Sequence, residues 1–317
     1  MASLRGHEGA AKAGTGRLRR CPRPRRYAVW APRSSRFPRV TLTAVSVDEP
    51  ADPGADSADG AWRPPTRRDL FTESALVLGV GLGASAVWSV LSLVNKLTQN
   101  VALNQQTTAM NSSVTPDRPW LDLAYQLVGI AVAVIPAILA LYLLGRDNGQ
   151  GMRTAARSMG FDFRRPGQDL WRGTLLTAAI GIPGLGLYLA AKALGFNTTV
   201  AAANLSENWW TLPVLVLAAV QNSVLEEVVM IGYLYNRWLR AGWSLPVVML
   251  VSALIRGSYH LYQGFGGFIG NVVMGLVFGW LYTKTKRVGP LVVAHTLLDV
   301  VAFVGYALLR DHLSWLT

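Results

Sequence analysis

The chain has 317 residues, of which 51% are hydrophobic and only 15% are charged, and its mean hydropathy is +0.29. This composition is typical of an integral membrane protein and excludes an ordinary soluble domain. The single cysteine, Cys21, excludes an intrachain disulfide and a cysteine-based metal site. The net charge of +12 does not indicate nucleic-acid binding, because residues 1–44 hold eleven Lys/Arg and one acid, Glu8. The basicity belongs to a tail, and we expect no nucleic-acid partner.

Residues 1–62 form a tail that is basic up to residue 44 and acidic from 45 to 62. Neither half has enough apolar residues to order itself, so we predict that 1–62 are disordered. Three interpretations of the tail stay open. Its Arg-rich, acid-poor start resembles an organellar transit peptide. Translation could instead begin further on, near Val45 or Val47, or the basic part could contact anionic lipid.

Long apolar segments follow the tail. A transmembrane helix needs about 20 apolar residues. The sequence therefore predicts that residues 63–317 form an all-α, polytopic membrane bundle of about seven helices, or eight with a re-entrant piece. The predicted spans lie at about 70–94, 121–144, 173–192, 211–234, 244–262, 264–283 and 289–309.

Most loop Lys and Arg residues fall on one side of this bundle, which predicts a cytoplasmic N-terminus. We expect a multi-pass protein of a bacterial plasma membrane, with lipid as a partner. The segment 146–172 carries six arginines and is expected to lie along the membrane surface. A glycine-rich run, 264–270, lacks the context of a phosphate loop and predicts a tight turn followed by a closely packed helix face.

Charged residues inside the predicted spans are the main functional signal. Charge at membrane depth costs several kcal/mol per group, so such residues usually face the bundle interior and mark function. Glu226 and Glu227 are adjacent and point about 100° apart on a helix. We expect one carboxylate to do chemistry and the other to have a structural or polarising role. Asn222 and Ser223, one turn earlier, are the expected hydrogen-bond partners of these acids, and a structural ion pair is the alternative interpretation.

Two further pairs occur four residues apart and therefore share a helix face: Arg256 with His260, and His295 with Asp299. A carboxylate one turn from a histidine can hold the imidazole in one orientation and tautomer. A hydrogen-bonded helix contact is the plainer explanation for either histidine. Two such pairs in one set of spans favour a catalytic site.

Two chemistries fit these residues. Glu226, His260 and His295 make a His₂Glu set that suits a catalytic Zn²⁺ with an open position. Without metal, the glutamate could act as general base with one histidine assisting, while the other histidine and Asp299 polarise the scissile carbonyl. Either chemistry predicts hydrolysis of a peptide bond inside or at the edge of the bilayer.

Straight helices would hold the two histidines apart. His260 falls near the far end of the fifth predicted span, whereas His295 lies about 9 Å from the start of the seventh, at 1.5 Å per residue. A shared site requires a kinked or shallow fifth span, or a re-entrant path around 258–270.

At these residues the chain resembles the CPBP family of membrane proteases, which includes CAAX prenyl endopeptidases and Abi-type proteins. That family's pattern is Glu-Glu-x-x-x-Arg, then Phe-x-x-x-His, then His-x-x-x-Asn/Asp, and the resemblance covers roughly 170–309. Within the first motif, Gly232 stands where a glycine commonly follows the arginine. The matches are Glu226, Glu227, Gly232, His260, His295 and Asp299.

The resemblance implies that the first glutamate and the second-motif histidine activate water, while the third motif stabilises the oxyanion. Members are widely labelled metalloproteases. Ile231 stands where the family has Arg, and Arg256 stands where it has Phe. We hypothesise that the guanidinium has moved, so that Arg256 reaches Glu227 across the bundle.

Three functions remain open at this stage. The first is an intramembrane endopeptidase acting on membrane-anchored proteins or peptides, of which CAAX-type substrates are one class. The second is a catalytically inactive membrane scaffold, which the loss of Arg at position 231 favours. The third is an ion- or proton-coupled transporter, although the sequence has no inverted repeat of the kind transporters often contain.

Overall fold

The computed structural model describes residues 64–147, 149–310 and 312. These residues are mostly helical and include only two strands of three residues each, which confirms the predicted all-α class. The helices are α1 (Arg67–Gly79), α2 (Leu82–Leu97), α3 (Pro119–Ala133), α4 (Ile135–Asp147), α5 (Gly151–Ser158), α6 (Pro166–Ala193), α7 (Thr211–Glu226), α8 (Leu234–Arg240), α9 (Leu245–Ser258), α10 (Phe265–Thr285) and α11 (Gly289–Leu309). The predicted tail, 1–62, lies outside the described residues, and the domain boundary there stays a prediction.

Five of the described helical stretches are long and apolar enough to cross a membrane: Pro119–Asp147, Pro166–Ala193, Thr211–Arg240, Phe265–Thr285 and Gly289–Leu309. The pair α1 and α2 adds a sixth if its two halves, bent by 56°, form one span. The fifth predicted span is shorter than expected, because α9 has only 14 residues. At 1.5 Å per residue α9 is about 21 Å long, less than the ~30 Å of hydrocarbon in a bilayer. The predicted count of seven therefore stays a prediction.

The chain turns sharply where α9 ends, as the convergence of the two histidines requires. A single 3₁₀ turn, Leu261–Gln263, separates α9 from α10, and Gly264 has a φ of +114°, a left-handed conformation that favours glycine. Asn197 fixes the start of α10, since its Oδ1 accepts a hydrogen bond of 2.8 Å from the Gly266 amide. The bend expected around 258–270 is therefore present.

Short strands brace the same end of the molecule. The strands β1 (Thr107–Ala109) and β2 (Thr199–Ala201) pair in parallel, with Thr108 opposite Val200. Lys96 Nζ donates to the Tyr262 carbonyl at 2.6 Å, which ties α2 to the 3₁₀ turn. Thr108 Oγ1 donates to the same carbonyl at 3.1 Å, so α2 and β1 together hold the turn that carries His260.

Close packing of α9 on α10 orients the face that carries Arg256. A Cβ on Gly275 would lie 3.1 Å from the Ala253 Cα, and one on Gly257 would lie 2.5 Å from Val272 Cγ2. The glycines therefore let the two helix backbones approach each other. The glycine-rich part of the chain packs as a turn and a helix face, as predicted.

The core surrounds a π-helical segment, Glu227–Tyr233, that joins α7 to α8 and in which every residue is buried. A π-helix contains an extra residue in the turn and often occurs at functional sites. Ser252 Oγ donates to the Met230 carbonyl at 2.8 Å, so α9 supports the backbone of this segment. α11 packs against α6 and α7, which brings its third-motif residues to the same interior.

The arginine-rich segment 146–172 is exposed at five of its six arginines, while Arg172 is half-buried. Arg287, between α10 and α11, anchors the segment through Asp162 at 2.8 Å and Asp169 at 2.6 Å. Burial would raise the pKa of Asp162, but hydrogen bonds from Arg287 and from the Arg164 amide outweigh it and lower that pKa. The position of this segment along the membrane surface stays a prediction.

Candidate active site

Glu227 is the centre of the buried cluster and is fully inaccessible to solvent. Its Oε1 accepts a hydrogen bond of 2.7 Å from Arg256 Nη2 and lies 2.8 Å from His295 Nδ1. Arg256 also lies over the Phe278 ring, 5.6 Å from its centroid. The π-helical segment, α9 and α11 therefore meet at one carboxylate, and the predicted contact between Arg256 and Glu227 is confirmed.

Glu226 faces a different set of groups, as expected for the neighbouring position on a helix. Its Oε2 accepts a hydrogen bond of 2.7 Å from the Tyr259 hydroxyl and lies 3.9 Å from Arg256 Nη1. Its Oε1 lies 4.0 Å from His260 Nε2. The side chain of Glu226 is 10% exposed, whereas that of Glu227 is 0% exposed. Glu226 is thus the carboxylate with access to a ligand.

His260 lies in the turn after α9 and keeps both ring nitrogens available. Within the described part of the chain, neither nitrogen has a hydrogen-bond partner, although the side chain is only 16% exposed. The 4.0 Å gap to Glu226 Oε1 is too wide for a direct hydrogen bond, and contacts of this kind are often bridged by water. The gap can therefore admit a small polar ligand.

The pair on α11 extends the cluster on its other side. His295 Nε2 lies 3.7 Å from Asp299 Oδ1, and Asp299 Oδ2 accepts a 3.4 Å hydrogen bond from Asn222 Nδ2. Both His295 nitrogens therefore face carboxylates. The structure brings together all six predicted site residues: Glu226, Glu227, Arg256, His260, His295 and Asp299.

The expected partners of the two glutamates were wrong. Asn222 contacts Asp299 instead, because its side chain faces α11. Ser223 Oγ donates to the Ala219 carbonyl one turn earlier at 2.6 Å, a bond that serine commonly makes inside a helix. The groups that bind the glutamates come from other helices, namely α9, the turn after it, and α11.

Sequence reasoning missed Tyr259, which donates to the more accessible carboxylate. In the sequence, a tyrosine next to a motif histidine cannot be distinguished from any other aromatic residue of an apolar helix. The available signal is that a buried tyrosine hydroxyl usually needs a hydrogen-bond partner. Tyr259 is only 5% exposed, and the nearest acid of the site supplies that partner.

Ile231 lies away from the charged cluster and is buried in the hydrophobic core at 2% exposure. The next residue, Gly232, allows a close approach, since a Cβ there would lie 2.5 Å from Met159 Sδ. The guanidinium that contacts Glu227 thus comes from α9 rather than from position 231.

The cluster also contains possible ligands for a cation. One ligand atom each from Glu226, Glu227 and His295 lie within 4.8 Å of one another. This geometric group contains Glu227 where the predicted His₂Glu set has His260. Glu227 Oε2 is buried without a hydrogen-bond partner among the described residues, and so are both nitrogens of His260. Carboxylate oxygens and imidazole nitrogens are ligands that zinc takes, so the residues fit this metal by their chemistry.

The fold and the buried polar centre define a helical, multi-pass membrane protein with a candidate active site. Residues 208–301 match the family model described as Type II CAAX prenyl endopeptidase Rce1-like. The match confirms, over this segment, the family resemblance that the motifs indicated, and it contains all six predicted site residues. At the level of the family it supports a membrane endopeptidase. No curated protein and no solved structure matches the chain.

Proposed function

We propose that the protein is an intramembrane endopeptidase that hydrolyses peptide bonds of membrane-associated proteins, with CAAX-type proteins as the first substrate class to test. The observation that carries the proposal is the contrast between two adjacent carboxylates. Glu227 is held by Arg256 and His295, whereas the Glu226 side chain is 10% exposed and faces His260, whose nitrogens have no hydrogen-bond partner among the described residues. A general base needs that combination of access and orientation.

Glu226 accepts the proton of a water molecule that lies between its Oε1 and His260 Nε2. The Tyr259 hydroxyl holds Oε2, which leaves Oε1 turned toward His260. The resulting hydroxide adds to the carbonyl carbon of the peptide bond. The proton then passes from Glu226 to the amine that leaves, so the carboxylate is regenerated.

His295 and Asp299 act on the carbonyl oxygen. When protonated, His295 donates from Nδ1 to Glu227 and offers Nε2–H to the developing oxyanion, while Asp299 balances its charge. Donors placed where charge develops commonly make a large contribution to catalysis. Arg256 holds Glu227 in place, and Glu227 in turn fixes the His295 ring.

A bound zinc ion would be a second way to activate the water molecule. Glu226 and His295 would hold the ion together with Glu227 or His260, and bound zinc would supply a more acidic water molecule. The roles of Tyr259 and Arg256 as positioning residues are the same on either route.

The test is a cleavage assay in membranes with a panel of prenylated and unprenylated peptides. We compare the wild type, Glu226→Gln and His260→Ala, each with and without a chelator. Glu207→Gln is the matched control, because its carboxylate is 87% exposed and lies outside the cluster. We expect cleavage by the wild type and the control, and a loss of about 10²–10⁴-fold in both site variants.

The outcomes separate the alternatives. Cleavage that survives the chelator but is lost in both site variants excludes the zinc route. If folded wild-type protein cleaves none of the peptides, the endopeptidase proposal is wrong, and the inactive scaffold, which Ile231 favours, takes its place.

A further inference from the structure

A polar cavity of about 160 Å³ lies between α3, α7 and the loop that precedes α3. Four carboxamide side chains line it: Asn111, Gln126, Gln221 and Asn222. None of its lining residues is charged. Both walls belong to helices that are apolar enough to cross a membrane. Three of the amides donate to protein groups: Asn111 to the Ala202 carbonyl, Gln126 to the Ser112 carbonyl and Asn222 to Asp299. The fourth, Gln221, is the one that needs a hydrogen-bonding ligand.

Gln221 gives the clearest sign of that ligand. It is 8% exposed, and its side-chain amide makes no hydrogen bond to another described residue. An amide contains both donors and acceptors, so its missing partner must supply both. Water does so, and since one water molecule takes up about 30 Å³ of the liquid, the cavity has room for several.

The inner end of the cavity borders the candidate active site through Asn222. Asn222 lines the cavity and donates to Asp299 Oδ2 at 3.4 Å. It also precedes Glu226 by four residues on the same helix face, which is about 6 Å along the axis. The other end reaches the loop before α3, where Asn111 lines the cavity and is half-buried.

We propose that this cavity is a water-binding site that supplies the hydrolytic water to Glu226 from the membrane face that contains Asn111. The inference deepens the proposed function and rests on it, because a hydrolase consumes one water per turnover. Apolar helices surround the active site, so its water needs a polar route. The amides provide one without introducing charge.

Thiol labelling tests for water in the cavity and needs no catalytic activity. In a Cys21→Ser background, which removes the only cysteine, Ala218→Cys places a thiol in the cavity wall. Val220→Cys is the matched control, because that residue is on the same helix but is 40% exposed on the outer surface of the bundle. A charged, membrane-impermeant methanethiosulfonate reagent reacts with the thiolate form of cysteine. Apolar surroundings disfavour that form, so a thiol without access to water reacts slowly.

We expect Ala218→Cys to react at least about tenfold faster than Val220→Cys. A tenfold difference in rate corresponds to a difference of about one unit between the pKa values of the two thiols. Equal rates for the two thiols would show that the cavity is dry, and the inference would be overturned whether or not the protein cleaves peptides.

Gly129→Leu then fills the cavity from its α3 wall. A Cβ at Gly129 meets no atom within 4 Å, so the fold can accept the side chain. Gly184→Leu on α6 is the matched control, since a Cβ there also meets nothing within 4 Å. We expect Gly129→Leu to reduce both the labelling of Ala218→Cys and the rate of cleavage about tenfold or more, and Gly184→Leu to change neither.

If Gly129→Leu, the plug, blocks labelling but leaves cleavage unchanged, water reaches Glu226 by another route. That result would overturn the role of the cavity as the water supply. The supply role is also overturned if the plug reduces cleavage without reducing labelling. If the wild type cleaves nothing, labelling still decides whether the cavity binds water, so failure of the proposed function is distinguished from failure of this inference.

Discussion

Two buried clusters of charged residues lie along the same helical stretch, Thr211–Arg240. They differ in whether their polar groups are accessible to a ligand. At its α8 end, Arg237 is fully buried, contacts Asp147 and Glu73, and lies 5.2 Å from the centroid of the Tyr233 ring. Those acids come from α4 and α1, so this cluster joins three helices. None of the described residues in this cluster is a histidine.

The other cluster includes the candidate active site. Its Glu226, His260 and Asp299 side chains are 10%, 16% and 20% exposed, and the imidazole of His260 has no hydrogen-bond partner among the described residues. A buried charge in a membrane helix is thus not enough to identify a candidate active site. The distinguishing features are an accessible carboxylate and an imidazole whose nitrogens remain available.

The largest expected contrast between the clusters is in rate. Glu226→Gln should reduce cleavage by about 10²–10⁴-fold, the usual contribution of a general base, and leave thermal unfolding nearly unchanged. Asp147→Asn should destabilise the protein and leave the rate per folded molecule close to that of the wild type. Cleavage and thermal unfolding of both variants in detergent check the contrast, and a large loss of rate in folded Asp147→Asn would contradict it.

Removing either buried arginine should cost about 3–5 kcal/mol of stability, because the partner carboxylates are left buried and unpaired. Arg237→Ala should lose stability only. Arg256→Ala should lose stability and cleavage together, since Arg256 holds Glu227 at 2.7 Å. Chemical unfolding combined with rates per folded molecule separates the two. If Arg256→Ala keeps both folding and activity while Glu226→Ala abolishes cleavage, the hypothesis of a relocated arginine is wrong.

Tyr259→Phe should have a smaller effect that is confined to the active site. It removes one hydrogen bond to a charged group, worth about 1.5–3 kcal/mol, so the rate should fall about tenfold to a hundredfold. Because the hydroxyl orients Glu226, we expect kcat to fall more than KM rises. Tyr282→Phe, outside the contacts of the site, is the control. Unchanged kcat in Tyr259→Phe would remove the tyrosine from the mechanism.

The smallest effect concerns pH and lies outside both clusters. The lowered pKa of Asp162 contributes stability that is present above the ordinary carboxyl pKa and is lost as pH falls through the lower, folded-state value. The temperature of thermal unfolding should therefore be steady near neutral pH. It should decrease below about pH 4, where an aspartate ordinarily titrates. Asp162→Asn should be about 1 kcal/mol less stable at neutral pH and lose less on acidification. A variant with the full acid sensitivity of the wild type would contradict this.

Sequence reasoning identified the site through spacing. Pairs four residues apart on apolar helices predicted which charges share a face, and the exchange of Ile231 and Arg256 relative to the family pattern predicted the contact with Glu227. The local sequence pattern could not predict the buried ion pairs of Arg237, because its acidic partners lie on α1 and α4, far away in the chain. Hydropathy also extended α9 too far, since the apolar residues continue through the turn at Tyr259 although the helix ends at Ser258.

The π-helical segment Glu227–Tyr233 sets the rotational phase between the two clusters. Each residue advances an α-helix by about 100°, so deleting one residue from the segment would turn α8 by about that angle relative to α7. Glu227 could then meet Arg256 and His295, or Arg237 could meet Asp147 and Glu73, but not both. The extra residue in the turn is therefore what allows one continuous helical stretch to carry the candidate active site at one end and the Arg237 cluster at the other.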